Sequence, residues 1–150
     1  MKTQLLMKEK KMNIKVLLVD DDIDILDQTK LLLESRGYKV VSASSSEEGW
    51  KKYQQEKPDI AVLDLIMEEY DSGFVLAYKI KKASGEKMIP IIILTSVTYV
   101  TGLKFDAATV EEKEWTKCDA VLNKPVVIDE LTKIIETLFA MKQSKKQVKK

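Results

Sequence analysis

The chain has 150 residues, of which 45% are hydrophobic and 33% charged, a balance that suits one globular domain with a core of its own. The single Cys118 and the absence of histidine exclude a disulfide framework and argue against a zinc site. The formal charge of +1 is unevenly spread, because residues 1–12 carry four lysines and one glutamate, residues 142–150 carry five lysines and no acid, and the body between them stands at −7.

No apolar run reaches transmembrane length, and the N-terminus lacks the apolar core and small-residue cleavage site of a signal peptide. With the single cysteine, this predicts a cytoplasmic protein. The charge pattern predicts an N-terminal extension over residues 1–12, a folded domain over 13–141 and a basic tail over 142–150. Neither basic end interleaves aromatics with its lysines, so solubilising tails fit better than a tether to nucleic acid or membrane.

The first predicted strand, 14–19, runs into Asp20, Asp21 and Asp22. Apolar residues at helical spacing (Ile25, Leu26, Thr29, Leu32, Leu33) then predict a helix over 23–36, with Gly37 as its stop. A short strand over 38–42 follows, and Ser45 with Glu48 forms a capping box that opens a second helix, which must finish before Pro58. In the third strand, Ile60-Ala61-Val62-Leu63 runs without polar interruption into Asp64, as suits a strand covered on both faces.

A loop through Glu68, Glu69 and Asp71 leads to Gly73, after which Phe74, Ala77 and Ile80 mark a third helix ending near Ser84-Gly85. The fourth strand, 91–94, runs into Thr95-Ser96. The least regular part, up to Lys124, has a plausible fourth helix over 107–117 that contains Trp115. The fifth strand, 120–122, leads to Asn123-Lys124-Pro125, and Asp129 is read as the cap of a last amphipathic helix with Leu131, Ile134, Ile135 and Leu138 on one face. Five strands alternating with helices predict an α/β fold, (βα)5, with a parallel sheet and helices on both faces.

Carboxylates, hydroxyls and one lysine therefore converge where a parallel sheet opens at the carboxyl ends of its strands. Asp20, Asp21, Asp22, Asp24 and Asp27 place five carboxylates within eight residues, with Asp64 close by. Two like charges ~4 Å apart repel by roughly 4 kcal/mol at an effective dielectric of 20, so a bound cation or protonation must offset them. An all-oxygen site with few protein ligands suits Mg²⁺. For Asp20 and Asp21, at the strand mouth, metal binding is the better reading, whereas Asp22, Asp24 and Asp27 more simply favour the positive N-terminus of the first helix. A calcium loop is excluded, because its sixth position would be Ile25 and its twelfth Leu31.

Residues 13–140 resemble the receiver domain of two-component response regulators. The resemblance rests on Leu-Val-Asp-Asp at 18–21, Leu-Asp-Leu with a following Met at 63–67, Asp-Ser-Gly at 71–73, Leu-Thr-Ser at 94–96 and Lys-Pro at 124–125, all in order at strand ends or the loops after them. It implies a flavodoxin-like sandwich with strand order 2-1-3-4-5. Asp64 would be the phosphoacceptor, taking a phosphoryl group from a sensor histidine kinase or histidine phosphotransfer protein. Mg²⁺ would be held by Asp20, Asp21, Asp64 and the backbone carbonyl of Ile66. Lys124 and Thr95 would contact the phosphoryl oxygens, and the Lys124-Pro125 bond is cis in the family. The donor must lie outside the chain, which has no histidine.

The chain departs from the family pattern in several places. Glu68 replaces the usual proline, the loop to Gly73 is one residue longer, the segment between Thr95 and Lys124 is longer than usual, and Val121 stands where an aromatic switch residue is common. Tyr99, Phe105 or Trp115 is the expected substitute for that aromatic. Ile66 and Val97, two places after Asp64 and Thr95, are apolar, which predicts a long-lived aspartyl phosphate. The reading is of a stand-alone receiver without a DNA-binding domain, membrane span or enzymatic output, acting on a downstream protein target. A homodimer through the fourth helix, fifth strand and last helix is a further expectation. The rivals are a phosphatase of the haloacid dehalogenase type, with Asp20 and Asp22 as nucleophile and acid/base, and a receiver-like binding module that never carries phosphate.

Overall fold

The computed structural model describes residues 14–67, 72–85, 89–96 and 119–148, with side chains as far as Met141. In chain order the elements are β1 (Lys15–Val19), α1 (Ile23–Ser35), β2 (Lys39–Ala43), α2 (Ser46–Glu56), β3 (Ile60–Asp64), α3 (Ser72–Ser84), β4 (Ile91–Ser96), β5 (Ala120–Lys124) and α4 (Ile128–Val148). All strand pairs are parallel and the order is β2-β1-β3-β4-β5, the predicted flavodoxin-like topology. The predicted helix over 107–117, the loop through Glu68 and Asp71, and the N-terminal extension lie outside the described residues.

The uninterrupted apolar strands feed two cores, one on each side of the sheet. Leu17, Val19, Leu63, Ile91 and Ile93 pack with Phe74, Ala77 and Ile80 of α3, and with Trp50 and Tyr53 of α2 at the margin. On the other side Val16, Leu18, Ile60, Val62, Ile92 and Leu94 pack with Leu26 and Leu33 of α1 and with Leu131 and Ile135 of α4. Burial on both faces explains why these strands show no polar alternation.

Helix ends follow local chemistry. The Asp22 carboxylate caps α1 by accepting from the backbone N–H groups of Asp24 and Ile25 at 3.1 and 3.2 Å, and Gly37 follows the helix with φ of 97°. Ser45 Oγ accepts from Glu48 N at 3.1 Å, while the Glu48 carboxylate reaches back to the hydroxyl of Ser44 at 3.2 Å, so the capping box holds with its return contact one residue early. Asp129 corrects the sequence reading. It lies inside the first turn of α4, and its carboxylate pairs at 2.7 Å with Arg36, the residue that closes α1. The backbone helix also runs through Val148 without a break at Met141.

Two carboxylates pin the amino ends of the strands. Asp59, just before β3, accepts from Lys15 N at 2.8 Å, and Asp119, just before β5, accepts from Ile91 N at 2.7 Å while also pairing with Lys81 of α3 at 2.8 Å. At the opposite end α3 presses on the last residues of β3. Gly73 N donates to Leu65 O at 2.8 Å, and a Cβ at Gly73 would meet the Asp64 carbonyl and stand 2.7 Å from Leu65 Cα.

Gly73→Ala is therefore expected to lower the unfolding free energy by about 1–3 kcal/mol in urea denaturation. At an unobstructed helical position the same change stabilises by about 1 kcal/mol, so a rise in the urea midpoint would show that the close approach is not limiting.

Candidate functional site: the acidic crevice at the strand ends

The register sets the two central carboxylates side by side, because Val19 of β1 pairs with Leu63 of β3 and each chain continues into an aspartate. Asp20 is buried and fixed on three sides. Its N–H donates to Ala43 O at 3.1 Å, one carboxylate oxygen accepts from Asp22 N at 2.9 Å, and the other accepts from the Lys124 ammonium at 2.8 Å. The same ammonium lies 3.1 Å from the Asp64 carboxylate. Lys124 reaches this position from the end of β5, beyond β4, and the Lys124-Pro125 bond that follows is cis.

Asp64 is buried, and its carboxyl is pushed up from 3.8 to about 6, first by loss of hydration and next by the Asp20 charge, with Asp21 adding to the rise and Lys124 opposing it. For Lys124, burial works against the ammonium, but the hydrogen bond to Asp20 and the charges of Asp64 and Asp20 outweigh it, so its pKa rises. Asp64 is thus mostly ionised at neutral pH.

Carboxylate oxygens of Asp20, Asp21 and Asp64 lie within 4.8 Å of one another, with Asp21 exposed to solvent. Three carboxylates and one ammonium leave a formal charge of −2, and every donor is a hard oxygen. That donor set fits a divalent cation of the magnesium or calcium kind. Ile66 stands at the rim, two residues beyond Asp64, with its side chain 36% exposed.

Thr95 ends the buried part of β4, where it pairs in register with Asn123 while Ser96 pairs with Lys124. The Thr95 hydroxyl is buried and unpartnered, a condition that costs about 1–3 kcal/mol unless a ligand supplies the bond. Among the described residues only Tyr38 shares that condition, on the other side of the molecule between α1 and α4.

The structure thus brings Asp20, Asp21, Asp64 and Lys124 together and sets Thr95 on the neighbouring strand. Asp22 is turned to the α1 cap, where one of its carboxylate oxygens accepts from the N–H groups of Asp24 and Ile25. Sequence reasoning missed the Lys124–Asp20 pair, whose partners are 104 residues apart. It also missed Gly73 as the residue that lets α3 approach Asp64, though a glycine opening a helix was the available signal. Val97 and the candidate aromatics Tyr99, Phe105 and Trp115 lie outside the described residues.

Comparison with known proteins agrees with this geometry. The response regulator receiver domain pattern matches residues 16–136. Response regulator Rre1 of Synechocystis sp. is 30% identical over 132 residues, covering 87% of this chain and 54% of that protein. The transcriptional regulatory protein PhoP of Bacillus subtilis, named for alkaline phosphatase synthesis, is 39% identical over 85 residues, covering 57% of this chain and 34% of that protein. The chain spans about half the length, or less, of these two relatives. Among solved structures, a response regulator receiver domain protein from Clostridium thermocellum superposes with a TM-score of 0.72 at 30% identity, covering 87% of this chain and 97% of that one. Response regulator TrrA from Thermotoga maritima, solved in complex with Mg²⁺-BeF, superposes with a TM-score of 0.67 at 26% identity, covering 83% of this chain and 98% of that one. Sequence pattern and strand order thus lead to one assignment, and the chain belongs to the receiver domain family of two-component response regulators.

Proposed function

We propose that this domain is a phosphorylation switch in which Asp64 accepts a phosphoryl group from the phosphohistidine of a sensor histidine kinase or a histidine phosphotransfer protein. The observation that carries the reading is the pair of unfinished partners around Asp64: an ammonium 3.1 Å away and shared with Asp20, and a buried hydroxyl without a partner at Thr95. An ionised Asp64 oxygen attacks phosphorus, the new P–O bond forms as the N–P bond breaks, and the departing imidazole takes its proton from solvent. Lys124 then faces phosphoryl oxygen as well as carboxylate, and the Thr95 hydroxyl donates to a phosphoryl oxygen.

Asp20, Asp21, Asp64 and the backbone carbonyl of Ile66 would hold Mg²⁺, as the oxygen-only donor set and the Mg²⁺-BeF complex of TrrA support. The cation would supply positive charge to the transferring group that a single lysine cannot. The phosphorylated state would bias the loops after β3 and β4 and so switch binding to a downstream protein target. Among the described residues no helix is long and apolar enough to cross a membrane, which accords with action in the cytoplasm beside a kinase domain. The unit that does this is proposed to span residues 13–141.

Ile66, apolar at the rim of the crevice, offers no group to orient an attacking water, and Val97 adds a second apolar side chain by its place in the sequence. The aspartyl phosphate is therefore proposed to be long-lived.

Incubation with Mg²⁺ and acetyl phosphate is expected to add one hydroxylamine-labile phosphoryl group by intact mass, and Asp64→Asn or chelation of the metal to abolish it. Release of inorganic phosphate that persists in Asp64→Asn would instead favour a phosphatase. Ile66→Asn combined with Val97→Glu is expected to shorten the lifetime of the adduct several-fold; an unchanged lifetime removes the argument from these two side chains. A third expectation concerns stability without metal. The folded Asp64 carboxyl binds its proton more tightly than the unfolded one, so stability falls as pH rises from about 4 to about 6 and is then level. Asp64→Asn should therefore raise stability at neutral pH by on the order of 2 kcal/mol, an advantage that fades as pH falls through that window. Equal urea midpoints for the two proteins at neutral pH would contradict the burial cost assigned to Asp64.

A further inference from the structure

Two helices on opposite sides of the sheet leave unpartnered faces of opposite charge. On α1, Ile23 and Leu31 are 61% and 68% exposed, and Asp24, Asp27 and Gln28 lie exposed with them. On α3, which contains no acid, Val75 and Tyr78 are 46% and 49% exposed beside exposed Lys79, Lys82 and Ala83. Among the described residues no carboxylate pairs with Lys79 or Lys82, and no cation pairs with Asp24 or Asp27. Lys79 is steadied by Trp50, whose ring centroid lies 5.9 Å from its ammonium. The remaining lysine of α3, Lys81, is turned away to Asp119.

The two faces match in charge along their length. When α1 is laid antiparallel along α3 with Leu31 on Val75, Asp24, seven positions back, comes opposite Lys82, seven positions forward. Steps of three and four residues turn to opposite sides of the contact, so Asp27 falls beside Tyr78 and Lys82, and Gln28 beside Lys79. The two carboxylates therefore interleave with the two ammonium groups in one register, next to the Leu31–Val75 pair. Because α1 packs in one core and α3 in the other, this contact is barred within one chain.

We propose that α1 of one copy docks antiparallel on α3 of a second copy, giving a head-to-tail association of the domain. The contact is heterologous, so each copy offers one face of each kind and short chains of copies can form. One helix on one helix buries well under the roughly 1,200 Å² typical of stable interfaces, which places the association in the micromolar to millimolar range. The proposal does not depend on phosphorylation, and it uses a different surface from the fourth-helix, β5 and C-terminal-helix face expected from the sequence.

Sedimentation velocity of the native chain from about 10 µM to about 1 mM is expected to show weight-average mass rising with concentration, and less steeply as ionic strength is raised to about 0.5 M. Asp24→Lys with Asp27→Lys, and separately Lys79→Glu with Lys82→Glu, should each weaken association roughly tenfold or more through like-charge contacts. Circular dichroism checks that both variants are folded. Mixed in equal amounts, the two variants regain complementary faces at every contact, and association should return. A native chain that stays monomeric over the whole range overturns the proposal. So does association that survives in both variants, which would place the contact on another face, or a mixture of folded variants that fails to associate.

Discussion

The crowding of Asp20 against Asp64, relieved by one ammonium, is the constraint on which the rest of the structure depends. The parallel register of β1 and β3 forces the two carboxylates together. Without a counter-charge their repulsion is on the order of 4 kcal/mol at an effective dielectric of 20. Lys124 supplies that charge from the far end of the sheet, at 2.8 Å from Asp20 and 3.1 Å from Asp64. Each strand contributes at its carboxyl end: β1 leads into Asp20, β2 gives the carbonyl that holds the Asp20 N–H, β3 ends on Asp64, β4 carries Thr95 and β5 ends on Lys124. A shift of one residue in any pairing would turn one of these groups away.

Stability and function are divided between the two ends of the sheet. At the amino end Asp59 and Asp119 each accept from a backbone N–H group, and Asp119 also ties α3 to β4 and β5 through Lys81. At the carboxyl end Thr95 is left without a partner and Asp64 is held with its carboxyl raised to about 6. The two apolar cores and the pinned amino ends are what allow the crevice to remain unsatisfied until a ligand enters.

How much of this was legible in the sequence depends on whether a feature was local. The apolar run into Asp64 and the run into Asp20 could be read directly, because burial on both faces removes polar alternation and the first carboxylate marks the strand end. The Asp22 cap and the Ser45–Glu48 box followed from local hydrogen bonding. Asp129 misled for the same reason, since an aspartate near a helix start reads as a cap until a distant arginine claims it. Here Arg36, brought to the start of α4 by the packing of α1, makes that claim. β4 and β5 run past their predicted ends because ladder pairing of Thr95 with Asn123 and Ser96 with Lys124 continues through polar residues that no hydrophobic pattern marks. The Lys124–Asp20 pair needed the strand order and register, which only the resemblance implied.

The asymmetry of that lysine bears on reactivity. If Lys124 sat nearest to Asp64, it would lower the carboxyl pKa and tie up the electron pairs that, under the proposed function, attack phosphorus. Its closer and more buried partner is Asp20, which leaves Asp64 with the longer contact and a net upward push from burial and from Asp20 itself. A carboxylate with a pKa of about 6 is still charged at neutral pH, yet more basic than an exposed aspartate, and basicity at an attacking oxygen favours bond formation. The same placement keeps an ammonium beside the point where phosphoryl charge would arrive. Asp20 therefore acts on Asp64 as well as beside it: its own charge and its larger share of Lys124 both hold the Asp64 carboxyl above its ordinary value, while the remaining contact with Lys124 opposes them.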